Sequence, residues 1–162
     1  VKLRQATAAD LARLAALEAA SYPADEAASS ESLAARIALA PECFLLAEDA
    51  AGELLGFVCG TRSVDDTLTH ASMSRHDPAG ASLCVHSVVV AEPHRRRGLG
   101  GALLARYLEH AWTLPGVERV LLIAKAHLRG FYEAAGFTCE GLSPVVHGAD
   151  PWFAFRLPAP TD

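Results

Sequence analysis

Polar and apolar residues alternate through Val1-Lys2-Leu3-Arg4-Gln5-Ala6, the two-residue period of a half-buried strand. The period then lengthens. Thr7 with Asp10 three positions on makes a helix-start pattern, and Leu11, Leu14, Ala15, Leu17 and Glu18 continue at helical spacing until Pro23 interrupts. A second helix is expected from near Asp25 or Ser30, carrying Leu33, Ile37 and Leu39 and stopping before Pro41. Strand character returns over residues 43–48 and 53–61, joined as a hairpin by Asp49-Ala50-Ala51-Gly52. Residues 64–80 are polar, contain Asp77-Pro78-Ala79-Gly80, and read as a mobile loop able to serve as a lid. A strand is expected over 82–90, a helix over about 99–112 ended by Leu114-Pro115-Gly116, and a buried strand over 117–123. A short helix over 126–135 ends at Gly136, and strands follow over 137–140 and 152–157. The order βαα-βββ-αβ-αββ predicts one α/β domain over residues 1–162 with a mixed sheet.

Composition narrows the classes. The 162 residues are 51% hydrophobic and 20% charged, enough for a sizeable core, and the formal net charge of -5 disfavours a nucleic-acid partner. Four cysteines, at 43, 59, 84 and 139, form no C-x-x-C pair, and the seven histidines show no H-E-x-x-H spacing, so no metal is expected. The first residues lack the basic cap and apolar core of a signal peptide, and no apolar run approaches the roughly 20 residues of a membrane span. A cytoplasmic protein with reduced thiols, monomeric or homodimeric and without a membrane partner, is the expectation.

The most specific stretch is Ser87-Val88-Val89-Val90-Ala91-Glu92-Pro93-His94-Arg95-Arg96-Arg97-Gly98-Leu99-Gly100-Gly101. A strand, a basic glycine-rich turn and a helix start follow one another. The first N–H groups of a helix lack backbone partners and face the positive end of the macrodipole, and glycines let a phosphate approach that backbone closely. Arginines alongside add charge-assisted bonds. The P-loop pattern fails because no lysine follows the glycines. The dinucleotide fingerprint fails because Leu103 stands where its third glycine belongs. The acetyl-coenzyme A turn R/Q-x-x-G-x-G/A is matched by Arg95-Arg96-Arg97-Gly98-Leu99-Gly100.

With that turn, and with Phe131-Tyr132-Glu133-Ala134-Ala135-Gly136-Phe137 downstream, the chain resembles the GCN5-related N-acetyltransferases (GNAT) over nearly its whole length. A narrower resemblance, to arylalkylamine (serotonin) N-acetyltransferases, is carried by residues 18–29, by Ala40-Pro41-Glu42-Cys43-Phe44 and by Val85-His86-Ser87-Val88-Val89-Val90. The resemblance implies a mixed, mostly antiparallel sheet splayed at the acetyl-CoA site and flanked by about four helices. It implies acetyl-CoA as cosubstrate, held by Val88, Val89 and Val90, by Arg95, Arg96, Arg97, Gly98, Leu99, Gly100 and Gly101, and by Tyr132. It also implies that Tyr132 meets the departing thiolate.

The implied reaction is acetyl transfer to a small primary amine, an arylalkylamine or a polyamine. The alternatives are acetylation of a protein N-terminus or lysine, and, from another class, a non-catalytic acyl-CoA sensor. An ammonium with a pKa of roughly 10 must lose a proton before it attacks. His86, expected on the same strand face as Val88 and Val90, is the candidate relay. Relatives carry H-x-H where this chain has Cys84-Val85-His86. Tyr22, Pro23, Phe44, Val88, Ile123 and Ala124 are the candidate acceptor-pocket residues, with Phe57, Trp152 and Phe153 as further apolar candidates and core packing as the competing fate of Phe44 and Phe57. Lys125 stands where many relatives carry asparagine or an acid.

Overall fold

A computed structural model describes residues 1–95 and 97–161. Among them the elements run β1 (Lys2–Gln5), α1 (Leu11–Ser21), α2 (Ser30–Leu39), β2 (Phe44–Glu48), β3 (Leu54–Ser63), β4 (Ser82–Val90), α3 (Leu99–Thr113), β5 (Arg119–Ala124), α4 (Arg129–Ala134), β6 (Thr138–Leu142) and β7 (Phe153–Pro158). The strands form one sheet in the order β1-β2-β3-β4-β5-β7-β6. All described pairings are antiparallel except β4 with β5.

Alternation along the strands divides the core. On one face Leu103, Leu104, Tyr107 and Leu108 of α3 and Tyr132 of α4 pack against Leu45, Ala47, Val58, Leu83, Val85, Leu122 and Phe155. On the other, Leu14 of α1 and Leu33 and Ile37 of α2 cover Phe44, Leu46, Phe57, Cys59 and Val89. At the start of α1, Asp10 accepts the Thr7 N–H at 2.8 Å and is bridged by Arg4 and Arg13, which both also reach Glu48. Those guanidiniums hold the Asp10 carboxyl far below its ordinary range and the Glu48 carboxyl down at about 2. This network ties the first helix to the sheet edge.

Two irregularities in β4 position the site. First, Cys59 pairs with Ser87 but Gly60 pairs with Val85, so His86 is an extra residue opposite β3, a β-bulge. Val85 and Val88 both pack on the α3 side and Val89 on the α1 side, so the face alternation slips by one across the bulge. Second, β4 pairs with β5 only over Ser82–Val85, although β4 runs to Val90 and β5 to Ala124. The sheet therefore opens between the two strands beyond Val85.

Candidate active site

In a strand, the N–H and C=O of one residue point to the same edge, and successive residues alternate. The Ala91 N–H bonds Leu55 C=O on the β3 side at 2.8 Å. Val88 and Val90 therefore turn their backbone groups toward the opening. Their carbonyls confirm it: Val88 C=O accepts from the Tyr22 hydroxyl at 3.2 Å, and Val90 C=O accepts from Arg95 Nε at 2.9 Å. The N–H groups on that edge face the gap and can bond an extended ligand laid beside β4.

The glycine turn lies at the end of the same edge. Gly98 is the N-cap of α3 at φ +75°, a left-handed conformation that suits glycine. Ala102 N–H is bonded back to Gly98 C=O at 3.1 Å, which leaves the amides of residues 99–101 as the open first turn of the helix. A Cβ built at Gly98 or Gly101 would meet nothing within 4 Å, so the space before this turn is clear. Gly100 instead faces the protein, where a Cβ would stand 3.4 Å from Phe131 and 3.5 Å from Val90 Cγ2. Leu99 is half-buried against the core under α3. Arg97 is exposed beside the turn. Arg95 is folded back on Val90 and reaches Ser21 Oγ at 3.2 Å, so its guanidinium braces the turn against α1. Arg96 lies outside the described residues. Free amides at a helix start, clear space and a basic flank fit the diphosphate of acetyl-CoA, and the edge of β4 fits its amide-bearing arm.

A cavity of about 210 Å3 occupies the opening between β4 and β5. Tyr22, His86, Val88, Ile123, Ala124 and Tyr132 line it, as does Trp152. The other sequence candidates are placed elsewhere. Phe44 is fully buried and stacks on Phe57 at 5.6 Å in the α1-side core; its place at the centre of β2 gives it no access to the opening. Pro23 is absent from the lining, because the loop turns there and presents Glu26, Ala27 and Ala28 instead. Phe153 pairs with Ala124 in the sheet and packs on the α3-side core. Residues 64–80 are tied down rather than loose: Ser72 is fully buried, and Leu68 and Met73 form part of the cavity wall.

His86 also differs from expectation. The bulge turns it to the face opposite Val88, where its Nε2 lies 2.8 Å from Thr61 Oγ1. Burial, with Arg36 of α2 nearby, holds its pKa well below the usual histidine value. The ring is neutral at pH 7. Tyr132 sits in an aromatic nest of Phe131, Phe137 and Phe155, and burial raises its hydroxyl pKa above 10. That hydroxyl remains a proton donor across the physiological range, and it bonds no other described residue.

Sequence inspection missed the acidic wall. Glu18 and Glu26 both line the cavity and are 2% and 8% exposed. Glu18 accepts the Ala28 N–H at 2.9 Å, and burial raises its pKa. Glu26 is held by Lys125, which also reaches Asp150 at 3.1 Å and lies 5.9 Å from the Trp152 ring. His147 donates from Nε2 to Glu26 C=O at 2.8 Å, closing the 143–152 segment over the α1–α2 loop. The available signal was position: Glu18 continues the Leu11-Leu14 stripe of α1, where a charge must be buried. Among the described residues no group of three or more His, Cys, Asp or Glu could hold a metal ion, and no helix is long and apolar enough to cross a membrane.

Comparison with known proteins gives the family and the fold. A family model described as "Acetyltransferase (GNAT) family" matches residues 11–137. Serotonin N-acetyltransferase of Mesocricetus auratus is 35% identical over 98 residues, covering 60% of this chain and 47% of that protein. The human serotonin N-acetyltransferase is 31% identical over the same length. The chain thus spans about half the length of the curated relatives it matches. The structure titled "GphF GNAT-like decarboxylase in complex with isobutyryl-CoA" superposes with a TM-score of 0.85 at 23% identity, covering 99% of this chain and 100% of that one. The structure titled "Structure of yncA, a putative ACETYLTRANSFERASE from Salmonella typhimurium with its cofactor Acetyl-CoA" superposes with a TM-score of 0.69 at 18% identity over 99% of this chain and 95% of that one. These structural likenesses establish the fold.

Proposed function

The chain belongs to the acetyltransferase (GNAT) family, and from that premise we propose that it transfers an acetyl group from acetyl-CoA to a small primary amine, an arylalkylamine or a polyamine. The observation that carries this reading is the cavity of about 210 Å3 opening directly onto the free edge of β4, with Tyr132 on its wall. Acetyl-CoA, when bound, supplies the acyl group as an activated thioester. The turn at residues 97–101, braced by Arg95, would hold its diphosphate, and the Val88 and Val90 amides would align its arm, with Val89 filling the core behind them. An edge amide aimed at the carbonyl would stabilise the oxygen charge that develops as the amine attacks.

Tyr132 keeps its proton until a thiolate departs nearby, and then donates it. His86 is a neutral hydrogen-bonding group whose Nε2 is engaged by Thr61. Tyr22, fixed on Val88, and Trp152, Ile123 and Ala124 supply an apolar wall suited to an aryl or alkyl chain. Enclosure of the cavity by the 22–29 and 143–152 segments favours a small acceptor over a polypeptide threaded through an open groove.

The test is a panel. Purified protein is given acetyl-CoA with tryptamine, phenethylamine, spermidine or a lysine-containing peptide, and free thiol is followed. Turnover with one or more of the small amines is expected. Turnover with the peptide alone would replace the acceptor class. Calorimetric binding of coenzyme A without turnover on any amine would instead assign an acyl-CoA sensor.

A further inference from the structure

We propose that Glu18 is the residue that recognises the cationic nitrogen of the acceptor and takes its proton. The inference rests on the amine-acetylating reading above and assigns the acceptor's charged end to one side chain.

Among the described residues, four side-chain nitrogen or oxygen atoms are buried without a hydrogen-bond partner: Glu18 Oε1, Glu26 Oε1, Asp77 Oδ2 and His86 Nδ1. Three of them belong to residues that line the one cavity beside β4. Leaving a buried polar atom unpaired is costly, and three in one place point to a ligand that pairs them. The three are not equivalent. Glu26 already has a cation: its Oε2 is bridged by Lys125. His86 is neutral and Thr61 occupies its Nε2. Glu18 accepts one neutral donor, the Ala28 N–H, and forms no ion pair among the described residues. A carboxylate in that state has no cation within ion-pair distance among the described residues, and a primary ammonium supplies one with three N–H donors.

The same enclosure explains how the proton leaves. In bulk water a carboxylate would hardly deprotonate an ammonium, since their pKa values stand near 4.3 and 10. Desolvation disfavours both charged forms, raising the carboxyl and lowering the ammonium, so the two converge. One proton passes from nitrogen to Glu18 Oε1, the carboxylate becomes a neutral acid, and the nitrogen is left with the lone pair it needs for attack. Glu18 returns that proton to solvent when the product leaves, and the second nitrogen proton, released as the C–N bond forms, restores the Tyr132 hydroxyl that protonated the thiolate. The groups facing Glu18 are Arg36 of α2, His147 of the 143–152 segment, and Tyr22, His86, Glu26 and Tyr132 of the cavity wall. Arg36 and His147 favour the carboxylate form, and burial opposes it more strongly.

The experiment compares wild type with Glu18→Gln, using tryptamine and its uncharged counterpart tryptophol as probes. Wild type is expected to bind tryptamine more tightly than tryptophol at pH 7.5. Glu18→Gln is expected to lose that preference, to lose roughly 100-fold or more in kcat/KM for tryptamine, and to keep its affinity for coenzyme A. A second measurement needs no Glu18 variant. On acidification to pH 5 the preference of wild type for tryptamine should shrink as Glu18 takes up a proton. The titration is repeated in His147→Gln, which removes the imidazole facing Glu18, and the shrinkage should persist there. Wild-type turnover combined with near-normal activity in Glu18→Gln, or a preference unchanged from pH 7.5 to 5, would overturn the assignment. Absence of turnover by wild type on every amine would overturn the function itself, a separate outcome.

Discussion

Replacing Tyr132 by phenylalanine separates chemistry from packing at this site. The ring makes edge-on contacts with Phe131 at 5.0 Å and Phe137 at 5.9 Å, and a tilted contact with Phe155 at 5.5 Å. Phenylalanine keeps all three. The hydroxyl bonds no other described residue, so its removal forfeits no internal hydrogen bond, and the stability change should stay within about 0.5 kcal/mol. The catalytic effect is of another order. Burial keeps the hydroxyl protonated well beyond neutral pH, so a proton is in place on that oxygen when the thiolate, whose ordinary pKa is about 8.5, departs. Loss of such a donor lowers turnover by about 10²–10⁴-fold, which corresponds to about 3–5 kcal/mol of barrier. The assay is thiol release at saturating acetyl-CoA and amine, beside calorimetry with coenzyme A and thermal unfolding. The expected pattern is a large fall in kcat with unchanged coenzyme affinity and unchanged melting. A fall in affinity that matches the fall in turnover would make Tyr132 an anchor for the coenzyme, and full activity would remove it from the chemistry.

Two further outcomes follow from charges around the cavity. His86 is buried neutral and its folded pKa lies well below 6.5, so below that pH the unfolded chain binds the extra proton and stability falls as pH falls. Its contribution approaches about 1.4 kcal/mol per pH unit in that window, and His86→Gln should flatten the wild-type slope in urea unfolding measured between pH 7 and 5; parallel curves would show that the ring titrates normally. Lys125 bridges Glu26 and Asp150 beside Trp152, and its side chain is 18% exposed against 4% for Glu26. Lys125→Met should strand the Glu26 carboxylate, cost about 1–3 kcal/mol, and raise KM for the amine more than KM for acetyl-CoA as the 143–152 segment loosens; an unaltered amine KM would mean that the bridge does not shape the acceptor side.

The features that could be read from the sequence are those written in local periodicity. Strand β4 falls on residues 82–90 as the β-branched run predicts, and α3 begins at Leu99 behind the glycines. Gly136, at φ +104°, closes α4 as expected. What failed was inference across a strand. An unbroken alternation through Ser82–Val90 puts His86 with Val88, but the ladder inserts His86 as an unpaired residue, and such a bulge depends on how β3 and β4 meet, which no single strand records. Phe44 failed for a related reason. Its apolarity suits either a pocket or a core, and only the stacking of β2 on β3 beneath α1 and α2 decides between them.

The bulge and the opening are two consequences of one geometry. An extra residue increases twist and bends the strand that carries it. Immediately beyond His86, β4 stops pairing with β5, and the backbone groups of Val88 and Val90 are turned to the gap. The same slip points His86 and Ser87 toward α1 in succession, so Ser87 faces Glu18 of α1 and the His86 ring reaches Thr61. A regular strand would send one of those two residues to the α3 side and keep its edge paired. A single inserted residue therefore frees the edge that suits a thioester arm and gathers the polar groups that suit an amine on the opposite side of the opening. This accounts for three of the four unpaired buried atoms among the described residues, those of Glu18, Glu26 and His86, which belong to residues lining the place where the sheet parts.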